Sequence, residues 1–81
     1  NVQPFRRTPD FTDETLPKAL LKDHKAGVWG LIQVQKGELE YTIEDKETHL
    51  LAPGTNGVVE PGTFHHVKPL GPVSFFIEFY K

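Results

Sequence analysis

Four histidines, His24, His49, His65 and His66, and a scatter of carboxylates are the side chains of this 81-residue chain that could do chemistry. It has no cysteine, which excludes thiolate ligation, thiol nucleophiles and disulfides. His65 follows Gly54, Pro61 and Gly62 in a pattern that places it well: a glycine opens a short strand, a Pro-Gly turn reverses it, and His65 begins the returning strand. Neutral imidazole is the commonest side-chain metal ligand, and that role is weighed here against a buried, hydrogen-bonded structural histidine. Neighbours in a strand point to opposite faces. Val67 shares the His65 face and Lys68 shares the His66 face, which directs His65 inward and His66 outward.

Among the carboxylates, Glu78 shares a strand face with Phe76 and Tyr80. A carboxylate on an apolar face costs several kcal/mol unless a cation or a donor meets it. Glu78 is therefore a candidate metal ligand, set against a pairing with Lys, Arg or Tyr41 at the rim. Glu60, just before the Pro61-Gly62 turn, is the alternative carboxylate. His24 lies in a loop, where histidines are often only solvated. His49 and His66 read as surface residues. Trp29 and Tyr41 are the pocket-lining candidates, although a large aromatic in a strand is more often core or interface. Arg6 and Arg7 could attract an oxyanion, but two arginines on an arm are usually solvated charge. No nucleophile–base pair, phosphate-cradling loop or carboxylate dyad stands out, so hydrolase and kinase chemistry has no support.

The elements that must position these groups are strands. Residues 1–18 carry Pro4, Pro9 and Pro17 among polar residues and read as an extended arm, with Phe5, Phe11 and Leu16 buried against the domain or a neighbouring subunit. Thr12 to Thr15 can cap one helical turn, which Pro17 to Leu21 extends. From Gly27 the period is two, with Val28, Ile32 and Val34 on one face and Trp29, Leu31, Gln33 and Gln35 on the other. Lys36-Gly37 makes a tight turn into a strand carrying Leu39, Tyr41 and Ile43. Glu44 to Glu47 is a solvated loop, and short strands follow over Thr48 to Leu51, Gly57 to Val59 and His65 to Lys68. The last strand, Val73 to Tyr80, is apolar on both faces and must be central or covered by a partner. Short strands at such spacing predict an all-β sandwich or barrel.

Composition bounds the partners. With 37% hydrophobic and 25% charged residues, the chain is an ordinary globular domain. A net charge of −2, from nine basic and eleven acidic residues without a basic cluster, argues against nucleic acid. Apolar runs are too short to span a bilayer and the first residues lack a signal-peptide pattern, so a soluble, cytoplasmic protein is expected, with no membrane partner. The two-faced apolar last strand, with Trp29 and Leu31 on an outward face, predicts a homodimer.

The spacing of Gly54, Gly62 and His65 resembles the second half of the cupin signature, in which such a histidine ligates a metal, though Pro61 stands one place later than usual. The first half usually supplies a histidine pair, a glutamate and a hairpin glycine. Counted back from Gly37, these fall on His24, Ala26 and Gly30, so only His24 is kept and the usual three-histidine, one-glutamate site is excluded in this register. More narrowly, the phrases Leu20 to His24, Ala26 to Gly30, Gly57 to Pro61, Gly71 to Val73 and Glu78 to Tyr80 resemble the TehB/YeaR-like tellurite-resistance family of small cupin-like proteins, over nearly the whole chain from Thr8 onward.

The resemblance implies a single small cupin-like β-barrel of the jelly-roll, double-stranded β-helix kind over residues 1–81. It links the family to tellurite resistance by name and defines no reaction. Together with the residues it predicts a divalent metal ion (Zn, Fe, Ni or Mn) held by His24, His65 and Glu78, with positions open for water or a small-molecule ligand. The other reading is a metal-free small-molecule-binding or homo-oligomeric assembly module. The stretch from His24 to the Gly-Val-Trp phrase is shorter than the family's, which predicts a tight connection there.

Overall fold

The computed structural model describes residues 2–81 and contains eight strands: β1 (Pro4–Arg7), β2 (Phe11–Thr12), β3 (Trp29–Lys36), β4 (Leu39–Ile43), β5 (Glu47–Leu51), β6 (Gly57–Val59), β7 (His65–Pro69) and β8 (Ser74–Tyr80). The helical content is one 3-10 turn, Lys18–Leu21. Asn1, the first residue of the expected arm, lies outside the described residues.

All strand pairing is antiparallel. One sheet runs in the order β1-β8-β3-β6, with β2 also paired to β8, and the other in the order β5-β4-β7. The hydrogen-bonded ladders end at β1 and β6 in the first sheet and at β5 and β7 in the second, so pairing does not run continuously around the core as in a closed barrel. β6, three residues long, is the last strand of its sheet.

Alternation builds the core between the sheets. Ile32 and Val34 from β3, Phe75 and Ile77 from β8, and Val59 from β6 face Leu39 and Tyr41 from β4, Leu51 from β5 and Val67 from β7. Phe75, Ile32, Leu39 and Leu51 are fully buried, each contributing about 1.5–3 kcal/mol by removal of its side chain from water. The faces of β3 and β4 are those read from the sequence. β8 is central, between β3 and both arm strands.

The arm pairs with its own sheet. Arg7 lies opposite Glu78 and Phe11 opposite Phe75. Leu16 is buried and Phe11 half-buried, its ring edge-on to Phe75 at 5.8 Å. Phe5, expected to be buried against the domain or a neighbouring subunit, is 46% exposed in the single chain, on the edge strand β1. The Arg7 guanidinium instead covers Phe76 on the outer face, 3.8 Å from the ring centroid. Thr12 closes a single turn, its hydroxyl accepting from the backbone N–H of Glu14 and Thr15 at 3.2 Å each.

Two turns fix the β4 neighbourhood. Gly37 has φ 80°, and a Cβ there would stand 2.2 Å from the Pro72 carbonyl oxygen, so glycine is required both by conformation and by contact. Glu44 and Asp45 have φ 53° and 55°, and the Lys46 N–H donates to the Ile43 carbonyl at 3.0 Å. The expected solvated loop is thus a tight turn over residues 44–46, with Ile43 paired to Glu47 across it. Among the described residues, no helix is long and apolar enough to cross a membrane.

Candidate functional site

Backbone geometry brings the two candidate histidines together. His24, in the segment before β3, and His65, first in β7, form an isolated antiparallel bridge in which each N–H donates to the other's carbonyl at 3.0 Å. The side chains of such a directly opposed pair project to the same side. Their ring centroids are 4.2 Å apart at an interplanar angle of 60°. Each ring is also fixed locally: Nδ1 of His24 lies 3.0 Å from the Lys22 carbonyl, and Nδ1 of His65 lies 3.0 Å from the Thr63 carbonyl.

A carbonyl oxygen only accepts, so Nδ1 carries the hydrogen in both rings and, when neutral, each Nε2 presents a lone pair. His65 is the buried polar residue of the core, 5% exposed. Burial pushes its pKa down from the ordinary value; the Thr63 hydrogen bond and the Asp23 charge pull the other way, and the neighbouring imidazoles add to the lowering. It is neutral at pH 7, with its Nε2 lone pair available.

The two rings line a cavity of about 330 Å³, with Leu20, Val28, Val59, Ile77 and Phe79 among its apolar walls. Arg6, Lys25 and Phe5 complete the lining on the arm and loop side. The connection from His24 to Gly27 closes against the Pro61-Gly62 turn, where the Gly62 N–H donates to the Ala26 carbonyl at 3.0 Å.

Glu78 does not join the histidines. On β8, Phe75 and Ile77 are buried in the core while Phe76, Glu78 and Tyr80 alternate onto the opposite face. There the Gln33 amide and the Tyr80 hydroxyl both donate to its Oε1 at 2.9 Å, which removes the need for a cation. The Glu78 hydrogen bond, with some desolvation, raises the Tyr80 pKa. Glu60 is exposed and borders a separate hollow with Ile43, Glu44, Lys46, Glu47 and Thr63. Among the described residues, no carboxylate lines the His24–His65 cavity.

Tyr41 is buried, its ring edge-on to His65 at 5.9 Å and its hydroxyl donating to the Val58 carbonyl at 2.9 Å. Desolvation, with the Glu60 charge, pushes its pKa up to about 12. It lines a second hollow of about 290 Å³ that also contains His49. His49 is exposed, against Glu47 at 3.2 Å. Trp29 faces outward, 40% exposed, beside Val2, Leu31, Val58 and Tyr80.

His66 points away from His65, its Nδ1 2.7 Å from Asp23. Potential ligand atoms of Asp23, Asp45 and His66 all lie within 4.8 Å of one another, with the two aspartates exposed. Sequence reading missed this cluster. The signal needed was the His24–His65 bridge, because that pairing brings Asp23 and His66 together on the other face, next to the β4–β5 turn that carries Asp45.

The molecule is thus an all-β domain of two antiparallel sheets whose inner space ends in a paired-imidazole cavity. The chain belongs to the TehB-like domain family, whose model matches residues 6–77. A crystal structure of a protein from Escherichia coli K12 matches all of this chain and 83% of its own, at TM-score 0.92 and 21% identity. TehB from Haemophilus influenzae matches at TM-score 0.88 and 26% identity, over 98% of this chain but 31% of that protein. A Streptococcus pyogenes protein of unknown function matches at TM-score 0.65 and 18% identity, over 94% of this chain and 54% of its own. No curated protein sequence matches.

Proposed function

We propose that this is a cupin-like ligand-binding domain that acts in the cytoplasm, with its binding site in the cavity closed by His24 and His65. The observation that carries this reading is that both imidazoles have Nδ1 fixed by a backbone carbonyl and share one cavity lined mostly by apolar side chains. Pre-oriented polar groups in a mostly apolar concavity are what small-molecule sites require. At about 330 Å³ the cavity lies at the small end of the roughly 300–1,000 Å³ range of such sites. The link of the family's name to tellurite resistance makes tellurite one ligand to test.

The donor set fits a divalent metal only in part. His24 and His65 would hold Zn, Fe, Ni or Mn through Nε2, since neutral imidazole suits all four. Water or the ligand would have to supply the remaining positions, because among the described residues no carboxylate lines the cavity. The metal's contribution, when bound, would be to polarise that ligand. Metal analysis of untagged protein, alongside ligand-induced shifts of the His24 and His65 ring resonances, tests the reading. Stoichiometric metal or ligand-dependent shifts lost in His65→Ala support it. Absence of both overturns it.

A second reading, a homodimeric assembly module, rests on the outward apolar group of Trp29, Leu31 and Val58 on adjacent strands β3 and β6. Sedimentation at micromolar concentration tests it.

A further inference from the structure

We infer that the ligand of the His24–His65 cavity is a small organic anion, a carboxylate with an apolar body and a hydroxyl donor. The inference rests on the reading of this cavity as a binding site and names the ligand class.

The cavity's charged residues are all of one sign. Arg6 enters from β1 and Lys25 from the loop after His24, and among the described residues no aspartate or glutamate lines the space. Elsewhere Arg7 pairs with Asp10, and His49 and His66 lie within hydrogen-bond distance of Glu47 and Asp23; among the described residues, Arg6 and Lys25 have no carboxylate partner. Each lies against an aromatic ring instead. The Arg6 guanidinium is 5.6 Å from the Phe79 centroid and the Lys25 ammonium 4.6 Å from that of Phe64. A ring holds a cation in place but accepts no conventional hydrogen bond, so their N–H groups remain free to donate. Two cations at the edge of a concave, low-dielectric site favour an anion.

The imidazoles set a second requirement. With Nδ1 occupied, each neutral ring offers an accepting Nε2, which calls for a hydroxyl hydrogen and would oppose a second carboxylate. The apolar walls formed by Val28, Val59, Ile77 and Phe79 require a hydrocarbon portion between these polar ends. An inorganic oxyanion meets the first requirement and leaves those walls facing water.

Mandelate combines a carboxylate, a hydroxyl and a phenyl ring, and it serves as the probe for the full chain by calorimetry and by the His24 and His65 ring resonances. Methyl mandelate removes the charge and phenylacetate removes the hydroxyl. Each should bind roughly tenfold or more weakly than mandelate, as loss of one hydrogen bond to a charged or fixed group predicts. Arg6→Gln and Lys25→Gln should each weaken mandelate to a similar degree and leave methyl mandelate unchanged, with an unaltered melting temperature as the control for folding. Equal affinity for mandelate and its ester, or no effect of either substitution, overturns the anion class while the binding cavity stands. Phosphate binding as tightly as mandelate overturns the organic body. If none of these probes shifts either imidazole, this ligand assignment fails, and the metal analysis then decides separately whether the cavity reading survives.

Discussion

His24 and His65 exchange both backbone hydrogen bonds at 3.0 Å, and this one bridge organises two opposite surfaces of the domain. On the inner side it sets two imidazoles 4.2 Å apart at the cavity; on the outer side it sets Asp23 2.7 Å from His66. The pairing also ties the segment leading into β3, in the first sheet, to β7 in the second. The site is thus located where the two sheets are joined, and the groups that would bind a ligand also hold the domain together.

The depressed pKa of His65 makes stability depend on acid. The unfolded chain takes up this proton near the ordinary value of 6.5, and the folded chain takes it up at lower pH. Between these two values the unfolded state binds more protons, so stability rises with pH. The contribution is fully present above pH 6.5 and is lost as pH falls through the folded pKa. Denaturant midpoints measured from pH 7.5 to 5 should fall for the wild type. In His65→Gln the slope over that window should flatten, and an unchanged slope would assign the acid sensitivity elsewhere.

Tyr41 works in the opposite direction. Its folded pKa is raised from 10.0 to about 12, so its contribution is complete below pH 10 and is lost as pH rises through about 12. Tyr41→Phe removes the ionisable group together with the hydrogen bond to the Val58 carbonyl. The variant should be less stable at pH 7 by about 0.5–1.5 kcal/mol, with a weaker alkaline dependence. Chemical denaturation at pH 7 and pH 11 distinguishes the two effects.

Gly37→Ala should be among the most damaging small substitutions in the chain. It combines a left-handed backbone at φ 80° with a Cβ placed 2.2 Å from the Pro72 carbonyl oxygen, an atom that cannot swing aside. A loss of about 1–3 kcal/mol is expected, read as a lower denaturant midpoint with an unchanged slope. A loss below about 0.5 kcal/mol would mean that the β3–β4 turn moves freely relative to Pro72.

Much of this arrangement was readable in the residues, and the failures have physical causes. Period-two alternation identified the faces of β3 and β4, and the contrast of Val67 with Lys68 sent His65 inward and His66 outward, because one face of each strand is polar. β8 offered no such contrast. With Phe75, Ile77 and Phe79 on one side and Phe76 and Tyr80 on the other, its pattern does not say which face is the core, and Glu78 was assigned to the wrong one. The Asp23–His66 contact spans 43 positions of sequence and depends on a two-residue bridge that local pattern does not encode. The loop read at Glu44 to Glu47 is an exposed turn, but its left-handed backbone at Glu44 and Asp45 was not readable, because non-glycine residues in that conformation leave little signal in sequence.

Glu78 provides the last test, since it separates the cavity from the three-ligand site expected from sequence. Its carboxylate accepts from Gln33 and Tyr80 on the outer face of the first sheet, with β8 between it and the imidazoles. Glu78→Gln keeps the shape and size of the side chain and can keep Oε1 as the acceptor for both donors, but it removes the charge that strengthens the two hydrogen bonds. Stability should fall by about 0.5–1.5 kcal/mol, within the range for a single partly exposed hydrogen bond. The Tyr80 hydroxyl should titrate closer to its ordinary value, because the Glu78 hydrogen bond is the first cause of its raised pKa. Ligand or metal binding at His24 and His65 should be unchanged within a factor of about two, as expected for sites without a shared partner. Loss of binding in Glu78→Gln, with the fold intact by circular dichroism, would restore Glu78 to the site and require β8 to present its other face to the cavity.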